Sequence, residues 1–191
     1  MQIAAFVPLL SFFVMAFRDV LRLNAKNTRD TKLRRVFEQH CVEEADHALW
    51  FLSDVRELCG REPDLESLFG ARHATTRDAT YSVIAEVLRT DSDAERLAVL
   101  LALEAISEAF FEISAPYFER TGATAWSLYF SQHHLDAERE HELAQDDMRA
   151  LLASIPLGDH ELGRAREVVE HIYQAICGML DGCLSATRSD E

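Results

Sequence analysis

The sequence predicts an all-α protein, a single-domain bundle of six to seven helices. Apolar residues recur at helical spacing along almost the whole chain, and no stretch shows the alternating β-branched pattern bounded by turns that strands require. Seven Gly and four Pro interrupt 191 residues, of which 48% are hydrophobic, so the chain has ample material for one buried core. We expect one helical domain over residues 1–191, with residues 1–7 and 185–191 loosely ordered.

Helix caps and breakers place the individual elements. The predicted helices cover, in chain order, residues 8–24, 28 or 30 to 58, 75–88, 93–116, 124–154 and 159–184. Gly60 and Pro63 end the second helix, and the fourth begins after a cap in Asp91-Ser92-Asp93. Pro156 ends the fifth, and residues 64–70 form a short turn between the second and the third.

Charge and cysteine content narrow the function classes. With 19 Lys+Arg and 33 Asp+Glu the chain carries a formal charge of −14, which repels nucleic-acid phosphates and anionic lipids. We therefore expect no nucleic-acid partner and no membrane partner. The four Cys include no C-x-x-C pair, which favours reduced thiols and a cytoplasmic location over a disulfide scaffold.

The uncharged apolar stretch over residues 3–17 has several interpretations. It is shorter than a membrane span, Pro8 interrupts it, and Arg18 and Asp19 follow it directly. We interpret it as a buried first helix. The interface of a homodimer is the first alternative, and a membrane anchor is the second.

Two copies of one His/Glu pattern are the strongest indication of a functional site in this sequence. The pattern is H-x3-E-x2-H, and its copies are His40-Glu44-His47 in the second predicted helix and His134-Glu138-His141 in the fifth. Positions i, i+4 and i+7 share one stripe of a helix, so each helix projects two imidazoles and a carboxylate in one direction. A chain of this composition is expected to contain the pattern only about 0.03 times by chance. The alternative is that these are polar residues satisfied by solvent or by the core.

Neighbouring residues favour a metal site over a solvated face. Apolar side chains such as Phe37, Phe51 and Phe130 flank the two stripes. Buried imidazoles and carboxylates are costly unless a cation neutralises the acids and accepts the nitrogen lone pairs. Imidazole with carboxylate and no thiolate suits iron or manganese in a helical bundle. A further lone Glu is then expected on another helix, and Glu104 in the apolar run of the fourth helix is the first choice, with Glu108 as its substitute.

This order of ligands resembles that of the haem-oxygenase-like diiron oxidases. The resemblance extends over residues 37–142 and rests on Glu44 and His47, then Glu104, then the second motif. It implies the haem-oxygenase-like fold and the activation of O2 at two non-haem irons, with manganese as the alternative metal. The implied reaction is desaturation, C–C cleavage or N-oxygenation of a small-molecule substrate in a biosynthetic pathway.

Carried over by position, the resemblance implies metal ligation by Glu44, His47, Glu104, His134, Glu138 and His141. Glu138 stands where the family usually has Asp, and its longer side chain could bridge two metal positions. His40 is a second departure, and it is either an additional ligand or a donor to a ligand. Tyr129 precedes His134 and could act in catalysis as a donor to oxygen at the site; aromatic packing is the alternative.

The leading hypothesis is therefore a diiron oxidase with a small organic substrate. A ferritin-like iron-storage protein without an organic substrate is the alternative, since two E-x-x-H motifs and a Glu also suit that fold. It would need one more Glu from the helix before the first motif, and residues 8–22 contain none. A metal-free helical adaptor remains only if the motif histidines are exposed to solvent.

Overall fold

The computed structural model describes residues 3–122, 126–140, 155 and 157–188, and within these ranges the chain is an all-α bundle without strands. The predicted fold class is therefore confirmed. The helices are α1 (Ile3–Phe6), α2 (Ser11–Asn27), α3 (Thr31–Glu43), α4 (His47–Cys59), α5 (Leu65–Phe69), α6 (Ala74–Arg89), α7 (Asp93–Arg120), α8 (Gln132–Glu140) and α9 (Asp159–Arg188). Turns of 3-10 helix lie at Val7–Leu10, Glu44–Asp46 and Ala71–His73.

Side-chain caps begin two of the helices that carry candidate ligands. The Asp30 carboxylate accepts hydrogen bonds from the backbone N–H groups of Lys32 (2.8 Å) and Leu33 (2.9 Å) at the start of α3. The Ser92 hydroxyl accepts from the N–H of Glu95 at 3.2 Å at the start of α7. Both helices thus begin close to the positions that the sequence predicts.

Several helix boundaries differ from the prediction. The predicted second helix is divided by the 3-10 turn Glu44–Asp46 into α3 and α4, so the first motif spans a break in the helix. Helix α7 continues through Pro116 to Arg120, and the buried Phe118 anchors this extension in the core. Helical structure also begins at Ile3 and extends to the end of α9, where the sequence predicted loose ends.

The apolar N-terminal stretch contributes to the core of the bundle. Val7, Leu9, Leu10 and Val14 are buried, and α2 packs against α3 and α6. Over Ile3–Asn27 the chain is also apolar and long enough to cross a membrane, with 33% of its most apolar window buried in the fold. Part of this stretch is thus core, as a buried first helix requires.

Helices α6 and α9 approach closely at Gly182. A Cβ atom at this position would lie 3.0 Å from the Cβ of Thr75 and would overlap the Thr75 methyl group. Rotation about χ1 moves the Thr75 methyl group but leaves its Cβ atom in place, so the two helices must still move apart to make room. The absence of a side chain at Gly182 therefore sets the distance between the two helices.

Replacing Gly182 by Ala is expected to destabilise the protein by about 1–3 kcal/mol, because α6 or α9 must move to admit the methyl group. Gly178 lies one turn earlier on α9 with open space where its Cβ would be, so Gly178→Ala is the matched control. The control should stabilise the protein by about 0.5–1 kcal/mol through helix propensity. Urea unfolding measures both changes, and stabilisation by both substitutions would contradict the close approach.

Candidate metal centre

The centre of the site lies where α4 meets α8. His134 on α8 places its Nε2 atom 2.9 Å from the Glu138 carboxylate and 3.2 Å from Nδ1 of His47. Each of these three side chains offers one ligand atom, and the three atoms lie within 4.8 Å of one another. None of the three side chains is more than 7% exposed. His47, His134 and Glu138 therefore form a buried group that could hold a metal ion.

The segment before α8 sets the tautomer of His134. The backbone carbonyl of Tyr129 can only accept a hydrogen bond, and it lies 2.6 Å from Nδ1 of His134, which must therefore carry the proton. In the neutral ring Nε2 then has only a lone pair to present to Glu138. Two acceptors at 2.9 Å repel each other unless a proton or a metal ion lies between them. The ring is thus oriented as metal-binding imidazoles are, with its far nitrogen held by a carbonyl.

Glu44 joins this group from the 3-10 turn. Its Oε2 atom lies 2.6 Å from Nδ1 of His47, and its side chain is buried. Burial, followed by the negative charge of Glu138, raises the pKa of Glu44 well above its ordinary value. Burial also lowers the pKa of His47, which favours the neutral imidazole that a metal requires. An ionised Glu44 is therefore stable here only beside a positive charge.

A second His/Glu pair lies beside this group. His40 Nε2 is 2.8 Å from the Glu104 carboxylate on α7, and His40 Nδ1 is 3.6 Å from Glu43. Burial alone would lower the pKa of His40, but the hydrogen bond and the charge of Glu104 outweigh it. With the charges of Glu44 and Glu138, they raise this pKa to about 9. In the metal-free protein His40 is thus an imidazolium ion at neutral pH.

Glu44 lies between the two groups. The charges of Glu138 and His134 act on its pKa, and so do those of His40 and Glu104. The Glu44 carboxylate lies 2.6 Å from Nδ1 of His47, and the Glu44 backbone N–H donates to the carbonyl of His40, so the two groups are neighbours. The described residues therefore form two adjacent sets of nitrogen and oxygen donors with Glu44 at their junction.

The metal-free protein is expected to lose stability as the pH rises from about 6.5 to 9. His40 has a pKa of about 9 in the folded protein against 6.5 for an ordinary His. Its stabilising contribution is therefore complete below pH 6.5 and is lost as the pH rises through 9. The pKa of Glu44 is also raised in the folded protein, so the folded state binds this proton more tightly than the unfolded state does. Glu44 therefore also lowers the free energy of unfolding as the pH rises.

This loss should be on the order of 2 kcal/mol and is measured by urea unfolding of metal-free protein across that pH range. The His40→Gln variant keeps a hydrogen-bond donor near Glu104 without a titrating ring, so its stability should change less with pH. A free energy of unfolding that stays constant or increases over this range in the unaltered protein would contradict the assigned charge of His40.

The remaining predicted residues fall outside these groups. Glu108, the substitute for Glu104, is exposed and lies 3.9 Å from Arg139 in an ion pair, so it is not placed as a ligand. His133 is exposed, as its position on the helix predicts. His141 lies outside the described residues.

Tyr129 is packed among rings next to the site. Its ring centre lies 4.7 Å from that of His134 and 5.2 Å from those of Phe51 and Phe111. Burial, followed by the charge of Glu138, raises the pKa of the Tyr129 hydroxyl well above its ordinary value, so the hydroxyl stays protonated. These contacts show the aromatic packing, and a role as a donor in catalysis stays a prediction.

Asp54 is a residue that sequence reasoning missed. It lies on α4 two turns after His47 and is completely buried. Its carboxylate accepts four hydrogen bonds, from the Ser127 hydroxyl (2.7 Å) and from the N–H groups of Leu128 (2.8 Å), Tyr129 (3.0 Å) and Phe130 (3.1 Å). The bonded segment includes the carbonyl that orients His134, so Asp54 holds that carbonyl in place from the helix that carries His47. An Asp among apolar residues of α4 was the signal in the sequence.

The same hydrogen bonds explain why α8 begins late. The sequence predicted a helix from about residue 124, but α8 begins at Gln132. The N–H groups of residues 128–130 donate to the Asp54 carboxylate, which competes with hydrogen bonding within a helix. A buried acceptor on another helix therefore outweighs the local helical pattern.

An apolar cavity adjoins the metal-binding group. It encloses about 80 Å³, and α2, α4, α7, α8 and α9 all contribute to its wall. Glu44, His47, His134 and Glu138 form one part of this wall. The other lining residues are mainly apolar and include Phe13, Phe17, Leu103, Phe111 and Met179. A small organic molecule in this cavity would contact the candidate ligands directly.

A scan against models of protein families finds no match to this chain, and a search of curated proteins finds none. The resemblance to haem-oxygenase-like diiron oxidases therefore stays a prediction. The geometry establishes a coarser statement, which is a helical bundle with a buried His/Glu group able to hold a metal ion.

Proposed function

We propose that this protein is an O2-dependent non-haem diiron oxidase or oxygenase that acts on a small organic molecule. One observation carries the proposal: a buried His/Glu cluster forms part of the wall of an apolar cavity. Burying imidazoles and carboxylates without a compensating cation is unfavourable, so a metal site accounts best for the cluster. The apolar cavity then provides a place for an organic substrate.

The donor atoms fit two ions of iron, with manganese as the alternative metal. Nitrogen and carboxylate oxygen donors without thiolate suit both metals, and the Nε2 lone pair of His134 already faces the cluster. Two ferrous ions supply the electrons with which O2 is activated to oxidise a substrate. We assign His47, His134 and Glu138 to one ion and His40 and Glu104 to the other, with Glu44 shared.

The surrounding side chains prepare the site for such chemistry. The carbonyl of Tyr129 keeps His134 in the metal-binding tautomer, and the rings of Trp50 and Phe111 cover the His134 ring at 5.5 and 4.1 Å. These rings limit access of water to the ligands. The Tyr129 hydroxyl, kept protonated by burial, is our candidate to donate a proton to an oxygen atom in the cavity.

The alternatives are a ferritin-like iron store and a metal-free adaptor. Storage uses the same types of ligand, but it gives no role to an apolar cavity beside them. The adaptor hypothesis requires solvent-exposed histidines, whereas His40, His47 and His134 are buried. Both observations favour the oxidase.

Mössbauer spectroscopy of protein loaded anaerobically with isotopically enriched Fe(II) and then exposed to O2 tests the proposal. We expect two irons per chain, retained after oxidation as one spin-coupled pair. Oxidation and retention of many more irons per chain would support storage, and isolated Fe(III) ions alone would contradict a dinuclear site. The variant Glu108→Gln alters an exposed neighbour of Glu104 on α7 and should give the unaltered spectrum.

A further inference from the structure

Trp50 on α4 connects the metal-binding group to an exposed ring. Its ring centre lies 4.8 Å from that of His47 and 5.5 Å from that of His134, so the indole contacts two candidate ligands. It also lies 5.5 Å from the ring of His133, which is exposed to solvent. Trp50 itself is half-buried. A chain of contacting rings therefore leads from the buried cluster to the protein surface.

The indole N–H of Trp50 is accessible to water. It donates to no group in the described part of the chain, and it does not belong to the polar atoms that the fold buries without a partner. Trp50 also takes no part in the lining of the cavity beside the cluster. The indole can therefore lose its proton to solvent, and it can react without occupying the space of a substrate.

Tyr129 is a second ring beside His134 that is open to one-electron oxidation, but its surroundings differ. Its other ring contacts are with Phe51 and Phe111 at 5.2 Å and with Phe130 at 5.0 Å. Phenylalanine is much harder to oxidise than tryptophan or tyrosine, so these rings do not carry an electron onward. Among the described residues, only the indole on α4 connects the cluster to an exposed ring.

An oxidase site needs a further source of electrons whenever O2 reacts without substrate. Reduction of O2 to water takes four electrons, and the two ferrous ions supply two of them. Without substrate, the remaining two are taken from side chains at the site. Met179 lines the cavity beside the cluster, and methionine is readily oxidised to its sulfoxide. An electron donor placed outside the cavity would protect this lining.

We propose that Trp50 donates single electrons to the metal site when O2 reacts there without substrate, and that it is reduced again at the surface beside His133. This inference rests on the proposed function, because it requires a site at which O2 is reduced. In each step the indole loses one electron to the site and its N–H proton to water, which leaves a neutral indolyl radical. A thiol in solution then returns one electron and one proton. Two such cycles complete the reduction of O2 and convert two thiols to one disulfide.

Freeze-quench EPR spectroscopy tests this proposal on Fe(II)-loaded protein that is mixed with O2 in the absence of substrate and thiol. We expect a transient tryptophan radical, identified by the narrowing of its hyperfine pattern when the protein carries ring-deuterated tryptophan. Trp50→Phe should lose this signal, although it keeps an aromatic ring for packing. Glutathione added to the unaltered protein should shorten the lifetime of the radical, because the indole is accessible from solvent.

Trp126 is the matched control, since the chain contains two Trp. Trp126 is half-buried like Trp50, but it makes no ring contact within the described part of the chain. Trp126→Phe should therefore keep the radical signal. A tryptophan radical that survives in Trp50→Phe would overturn the proposal, and so would the lack of a radical in protein that has bound and oxidised its iron.

Mass spectrometry of the same samples measures the protection of the cavity. We expect at least about fivefold more sulfoxide at Met179 in Trp50→Phe than in the unaltered protein, because the missing electrons are taken from the lining. Met15 is exposed and lies outside the cavity, so its oxidation should be equal in both proteins. Trp50→Tyr should restore much of the protection, since a phenol also donates single electrons. Equal oxidation of Met179 in the Phe variant and the unaltered protein would overturn the protective role.

These measurements separate this inference from the proposed function. Two irons per chain that O2 oxidises as one pair, without a tryptophan radical, would overturn the role of Trp50 and leave the oxidase proposal standing. Protein that binds no Fe(II) would overturn the proposed function and, with it, the electron transfer that rests on it.

Discussion

Replacing His134 by Ala is expected to weaken metal binding by more than about 100-fold, because the ring is central to the buried cluster. Its Nε2 atom lies 2.9 Å from Glu138 and 3.2 Å from His47, and its Nδ1–H is held by the Tyr129 carbonyl. Without the ring, Glu138 and His47 lose the nitrogen donor that completes the metal-binding group. Equilibrium titration with Fe(II) under anaerobic conditions measures the loss.

His133 is the matched control for this substitution. It precedes His134 in the chain and is exposed to solvent, and its ring packs against the cluster's neighbour Trp50 at 5.5 Å without belonging to the metal-binding group. We expect the metal affinity of His133→Ala to stay within about threefold of that of the unaltered protein, since exposed surface substitutions rarely disturb a buried site. Equal losses in the two variants would show that the cluster is not the metal site.

Replacing Asp54 by Ala is expected to lower the free energy of unfolding by about 3–5 kcal/mol. The substitution leaves a buried hydroxyl and three N–H groups of residues 127–130 without their acceptor. Asp64→Ala is the control, because Asp64 is exposed and accepts one hydrogen bond, from the Ser67 N–H at 2.7 Å. Loss of that helix cap should cost about 1 kcal/mol. Urea unfolding of the metal-free proteins compares the two.

The Asp54 substitution also has an expected effect on the metal site. Asp54→Asn keeps the size of the side chain but places an amide donor against N–H groups, so the segment that carries the Tyr129 carbonyl should shift. We expect metal affinity to fall about 10- to 100-fold, the usual effect of removing support from a metal-binding His. A variant that loses stability but binds Fe(II) with unchanged affinity would restrict Asp54 to a structural role.

Helical periodicity and caps were sufficient to predict the fold class and most helices. Signals local to the chain, such as the cap within residues 91–93 and the Gly60 stop, lie where the helices α7 and α4 begin and end. The break at Glu44–Asp46 was not predicted, because the pattern of residues 40–47 fits a continuous helix equally well. Because of this break, His40 faces α7 and bonds to Glu104, while His47 faces α8 and contacts His134.

The composition of the site could be anticipated in part. The spacing of the motifs indicated His47, His134 and Glu138, which the structure brings together within 4.8 Å. The pairing of His40 with Glu104 and the support from Asp54 depend on contacts between helices that are distant in the chain. No local pattern encodes such contacts, since they follow from how the helices pack.

Counting Fe(II) ions bound per chain at equilibrium, under anaerobic conditions and with metal-stripped protein, tests the central claim most directly. The two adjacent donor sets predict two ions per chain, and they predict that His134→Ala loses this stoichiometry while His133→Ala keeps it. Protein that takes up no Fe(II), or binds it equally well in both variants, would contradict the assignment of this buried cluster as a dinuclear metal site.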